Sequence, residues 1–132
     1  MLDAAILEQS IVSLLPRPDW DLLITHGANG EFARDGTHEQ VSQAVTSLWQ
    51  RGVVAASSLW TFAYDGATPT QLPQPRADAH FRLRLPPTVW REKQRLITSV
   101  YGFDKSSWEA KAAPRNEAFF CFDSPRALPK AA

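Results

Sequence analysis

The run Leu22-Leu23-Ile24-Thr25 constrains the fold more than any other stretch of the chain. A strand with one solvated face alternates apolar and polar residues; this run does not, and so predicts a strand buried on both faces of a parallel sheet. Breaks bound it on both sides: Pro16-Arg17-Pro18 before, and a loop over residues 26–36 with three glycines and an asparagine after. A helix follows. Thr37 and Gln40 have capping-box spacing, in which each side chain satisfies an orphan backbone donor. Val41, Ala44, Val45, Leu48 and Trp49 then fall at i, i+3, i+4, i+7 and i+8, one apolar stripe, and Gly52 stops the helix. Strand, glycine loop and capped helix together are the opening of an α/β unit.

The flanking segments extend this pattern. Ile6, Leu7, Ile11, Leu14 and Leu15 lie at helical spacing after Asp3, a good N-cap, and Pro16 ends the run. Residues 59–64 are β-prone and aromatic and close on Asp65-Gly66, whereas 68–76 hold three prolines and read as a surface loop. Phe81, Leu83 and Leu85 alternate with His80, Arg82 and Arg84, the pattern of a half-exposed strand. Pro86-Pro87-Thr88 opens a third helix with Val89, Leu96, Ile97 and Val100 on its inner face and Gly102 at its end. Ser107-Trp108-Glu109 suits a short helical turn, and 118–122 a last strand. Residues 1–122 form the expected domain, and 123–132 a frayed tail. The sum is an open α/β sheet that begins on a helix with no strand before it.

Charge and cysteine usage narrow the function classes. Fourteen basic residues balance fourteen acidic ones, so no field steers the chain to nucleic acid or to an anionic membrane. No apolar run nears the roughly 18 residues of a membrane helix. Met1-Leu2-Asp3 lacks the basic start of a signal peptide, and the expected location is the cytoplasm. Cys121 is the only cysteine, which excludes an internal disulfide and a multi-cysteine zinc site. Its apolar neighbours make it a small core residue.

Chemistry is expected at the carboxyl end of the Leu22–Thr25 strand, where loops and helix starts converge in open α/β sheets. His26, Asn29, Glu31, Arg34, Asp35 and His38 all fall in or just after that loop. His38 lies at the helix start, where a neutral imidazole can ligate a metal. Asp35 stands three residues before it, a spacing that lets both face one pocket.

These residues resemble a known family. Thr25-His26-Gly27-x-x-Gly30-Glu31-Phe32, then Arg34-Asp35-x-x-His38-Glu39-x-Val41, is similar to the second signature of the PIG-L/LmbE-like zinc-dependent N-deacetylases. That signature runs Thr-His-x-x-x-Gly-Glu-Tyr and then His-x-x-His. Trp90-x-x-Lys93, Val100-Tyr101-Gly102-Phe103, Ser107-Trp108-Glu109-Ala110 and Glu117-Ala118-Phe119 look like the C-terminal half of bacterial members. The resemblance implies a Rossmann-like open sheet with flanking helices, here partial and lacking the N-terminal strands. It further implies a Zn²⁺ ion, an N-acetylated amino-sugar substrate, and hydrolysis by metal-activated water. His38 takes the place of the zinc-binding histidine. Asp35 takes the place of the histidine that stabilises the transition state, so it is the catalytic candidate; His26, Asn29, Glu31 and Arg34 become candidates for substrate binding.

Three departures shape the expectation. The family's first motif, His-Pro-Asp-Asp-Glu, which supplies two ligands and the base, is absent; Pro18-Asp19 is the only Pro-Asp pair. An ionised Asp35 opposes a developing oxyanion rather than stabilising it. Phe32 lacks the hydroxyl of the family tyrosine. The chain is therefore expected to be the C-terminal portion of a deacetylase, inactive alone, and to need a missing N-terminal half. Two alternatives belong to other classes. Five tryptophans suit a non-catalytic carbohydrate-binding module. A strand without its neighbour suits an assembly module that self-associates through an exposed sheet edge.

Overall fold

Asp3 opens the first helix. Its carboxylate accepts from the N–H groups of Ala5 (2.9 Å) and Ile6 (3.1 Å), two of the donors that a helix start leaves without partners. The computed structural model describes residues 3–17, 19–30, 36–65 and 71–128. Its helices are α1 (Ala4–Leu14), α2 (Gly36–Gln50), α3 (Pro87–Arg95) and α4 (Trp108–Ala112). Its strands are β1 (Asp19–Thr25), β2 (Ala55–Phe62), β3 (Tyr64–Asp65), β4 (Gln74–Pro75), β5 (Phe81–Arg84) and β6 (Asn116–Phe122). Among the described residues, no helix is long and apolar enough to cross a membrane.

The architecture is α/β with a mixed open sheet in the order β1-β2-β6-β5 and flanking helices. Only β1 and β2 run parallel; β6 is antiparallel to both of its neighbours. Between β1 and β2 the chain passes through α2, whose stripe packs as its spacing predicts: Ala44, Leu48 and Trp49 are buried. The helix begins at Gly36, so Thr37 is its second residue rather than its cap. Its end matches expectation. Gly52 sits at φ +69°, its N–H donates to Trp49 O (3.1 Å), and the Val53 N–H donates to Leu48 O (3.0 Å). These two bonds form the paired closure that a left-handed glycine permits.

The parity of the strands sorts their side chains into two faces. Leu23 lies beside Leu59 and Thr25 beside Thr61, and of these Thr25, Leu59 and Thr61 are buried. The Trp49 indole N–H donates to Ala56 O (3.0 Å), tying α2 to the first residues of β2. On the other face Ile24 lies beside Trp60, and Phe62, Phe119 and Phe81 form a row across three strands. This second face is open at its two edge strands, where Leu22 is 36% exposed, Ile24 52%, Phe81 39% and Leu83 44%, whereas Phe119 between them is buried.

The unalternated run in β1 is therefore not buried on both faces. α2 covers one side of an edge strand and leaves the other bare. β5 departs in the same direction, with all four residues exposed rather than half of them.

The third helix also turns out differently. Val89, Leu96 and Val100 are exposed, because polar side chains make its contacts with the rest of the molecule. Lys93 Nζ donates to Glu117 (2.5 Å) and to Pro114 O (2.9 Å), and Gln94 donates to Ala110 O (3.2 Å). Its last turn, Leu96–Val100, widens to a π-helix before Gly102. Glu117 is pinned a second time by the Tyr64 hydroxyl (2.6 Å), which accepts in turn from the Ala118 N–H (3.0 Å). Tyr64 and Asp65 pair with Pro75 and Gln74 in a two-stranded ribbon beside this network.

The short helix at residues 108–112 forms as expected, with Ser107 capping it through Ala110 N–H. Cys121 is half-buried on the central β6, where desolvation pushes its thiol pKa up. In the expected tail, Pro125–Ala127 forms a 3₁₀ turn packed against α2.

Candidate functional site

The carboxyl end of β1 meets the start of α2, and the two histidines of that region come together there. The His26 and His38 rings stack with centroids 3.9 Å apart and planes 9° from parallel. Phe62, at the end of β2, flanks His26 at 6.4 Å. Ser42, one turn into α2 beyond His38, donates its hydroxyl to His26 O (2.8 Å), so the helix holds the strand's end in place.

The loop geometry explains its glycines. Gly30 N–H donates to Gly27 O (3.1 Å), closing a turn, and Gly30 has φ +71°. A Cβ on Gly27 would stand 2.7 Å from Phe62 O. The close approach that Gly27 allows is thus to the protein's own β2 strand. Asn29 is exposed on this turn. Glu31, Arg34 and Asp35 lie outside the described residues.

Thr25 adds a further feature. It is 6% exposed, and its hydroxyl is buried with no hydrogen-bond partner. Such a group costs about 1–3 kcal/mol of desolvation unless something meets it.

The pair does not form a zinc site by itself. A metal bound to an imidazole nitrogen lies in the plane of that ring, about 2.0–2.1 Å from the nitrogen. Two stacked, nearly parallel rings have no common point in both planes, so His26 and His38 cannot share one ion in this arrangement. Among the described residues no group of three or more histidine, cysteine or acidic side chains is placed to hold a metal.

Sequence reasoning marked His26 and His38 separately; their contact was not legible. It depends on where His26 and Gly27 sit against α2 and β2, which the Ser42 bond and the Gly27–Phe62 approach hold. Lys93, a weaker candidate, is engaged by Glu117 and Pro114 in a structural tie. Of the tryptophans, Trp49 is buried, Trp60 is tilted against Phe81 and Phe119, and Trp20 lies under the Arg17 guanidinium at 4.5 Å. No family model matches the chain, and neither a curated protein nor a solved structure matches it.

Proposed function

We propose that this chain is the C-terminal portion of a zinc-dependent N-deacetylase of the PIG-L/LmbE-like kind, with a partial Rossmann-like fold, acting on N-acetylated amino sugars and inactive on its own. The observation that carries the reading is the His26–His38 contact at the carboxyl end of a parallel strand pair. Two histidines of a metal-hydrolase-like signature, distant in sequence, meet at the rim where open α/β sheets collect their ligands. In this reading His38 is one zinc ligand, and the remaining ligands and the base arrive on strands from an N-terminal half. His26 and Asn29 line the substrate side. Because the described residues do not make a zinc site, no catalytic step is assigned to them.

The test is a pair of measurements. The purified chain should take up less than one zinc per molecule and show no deacetylation of N-acetylglucosaminyl compounds. Fusion to an upstream segment bearing a His-Pro-Asp-Asp-Glu strand should restore stoichiometric zinc, and His38→Ala in that fusion should abolish it. Tight zinc with turnover by the chain alone would overturn the inactive reading. Zinc uptake by the fusion that ignores His38→Ala would overturn the ligand assignment.

A further inference from the structure

The chain holds two asparagines, Asn29 and Asn116, and the fold treats them differently. Asn29 is exposed in the turn that follows β1, and Gly30 comes next. Gly30 sits at φ +71°, left-handed backbone that residues with a Cβ rarely adopt, so the turn itself calls for glycine there. Asn116 lies in β6 opposite Arg84 of β5, and Glu117 comes next.

We propose that Asn29 is a site of spontaneous, backbone-assisted deamidation, which converts an amide of the Gly27–Gly30 turn to a carboxylate three residues from His26.

The reaction needs only water and hydroxide. Hydroxide takes the Gly30 N–H proton, and the backbone nitrogen attacks Cγ of Asn29, forming a new C–N bond. The Cγ–Nδ2 bond breaks, and Nδ2 leaves as ammonia after taking a proton from water, which regenerates the hydroxide. A five-membered imide ring remains between Asn29 and Gly30. Water opens it in one of two ways. Attack at the Asn29 backbone carbonyl leaves isoaspartate, with the chain routed through the former side chain; attack at Cγ leaves aspartate. No electrons change hands between molecules.

The structure selects Asn29 through the attacking nitrogen. Exposure does not separate the two asparagines, since both side chains reach water. The Gly30 nitrogen is flanked by no side chain, whereas that of Glu117 adjoins one held by Lys93 and by the Tyr64 hydroxyl. Ring closure also requires the backbone to bend. At Asn116 the chain is held extended by the β5–β6 ladder, and the Tyr64 hydroxyl lies 3.3 Å from its carbonyl oxygen. At Asn29 the chain already turns, and the restraint on the nitrogen is the Gly30 N–H bond to Gly27 O (3.1 Å). Opening one such bond slows the attack by about tenfold at most.

The product alters the candidate site. Net charge falls by one, and isoaspartate lengthens the backbone by a methylene just before Gly30, which breaks the Gly30–Gly27 bond. The proposal rests on the turn alone and holds whether or not the chain is part of a deacetylase.

The test is to hold the full folded chain at mildly alkaline pH and map its peptides by mass spectrometry, with isoaspartate scored by enzymatic carboxyl methylation. Residue 29 should become a mixture of isoaspartate and aspartate, at a rate proportional to hydroxide, while Asn116 stays an amide. Unfolding in guanidinium should speed the loss at Asn29 by about tenfold at most. Gly30→Ala should slow it sharply, with circular dichroism establishing the fold. Should Gly30→Ala fail to fold, the product mixture carries the test, because direct hydrolysis of the amide yields aspartate alone. An Asn29 that stays intact in the folded chain yet converts in guanidinium would overturn the proposal. So would aspartate without isoaspartate, conversion of Asn116 as fast as that of Asn29, or a folded Gly30→Ala variant that converts at the parent rate.

Discussion

The two faces of the four-stranded sheet draw on similar residues and meet opposite fates. On the α2 side Leu59 is fully buried, with Trp49 anchored to the Ala56 carbonyl. On the other side Leu22, Ile24, Phe81 and Leu83 are open to water, although their side chains are as apolar as those they back onto. The difference teaches that burial in this molecule is decided by what crosses over a strand. α2 is carried across one face by the parallel β1–β2 connection. On the other face, among the described residues, the end near Glu117 is tied to a helix through Lys93.

Substitutions can break or sharpen that contrast. The largest loss is expected for Leu59→Ala, about 3 kcal/mol in chemical denaturation, because the residue is fully buried and its cavity cannot collapse freely. A loss below about 1 kcal/mol would mean that the covered face is loosely packed.

Glu117→Ala should cost about 2 kcal/mol, since it strips Lys93 and the Tyr64 hydroxyl of their shared acceptor at once. Glu117→Gln should recover part of that loss by keeping the acceptor without the charge. If both variants are as stable as the parent, the Lys93–Glu117 contact on the open face is not an anchor.

Trp49→Phe retains most of the buried ring and deletes the bond to Ala56 O, for about 1 kcal/mol. The smallest effect belongs to the bare face: Ile24→Thr should change stability by no more than about 0.5 kcal/mol. A larger loss would show that Ile24 is covered in solution and would erase the contrast.

Legibility in the sequence followed the same division. The α2 stripe, the Gly52 stop, the Asp3 cap, the short helical turn at Ser107-Trp108-Glu109 and the strand over 118–122 were all readable, because each depends on residues within a turn or two of one another. The inner face assigned to the third helix was not, since Lys93 and Gln94 found partners more than a dozen residues away and turned Val89 and Val100 outward. At the site, the sequence supplied the two histidines, the glycines and a motif resemblance. It did not supply the stacking of His26 on His38, nor the orphaned Thr25 hydroxyl.

What the chain's own order of residues determined is therefore local: the helices, the strands, the turn at Gly27–Gly30, and the loop in which histidines, an amide and acids gather. Tertiary structure alone decided that β1 lies at an edge, that one face of it stays bare, and that two imidazoles stack rather than converge. The physical reason is that hydrophobic periodicity records which side chains avoid water, while the surface that removes them from water comes from elements remote along the chain.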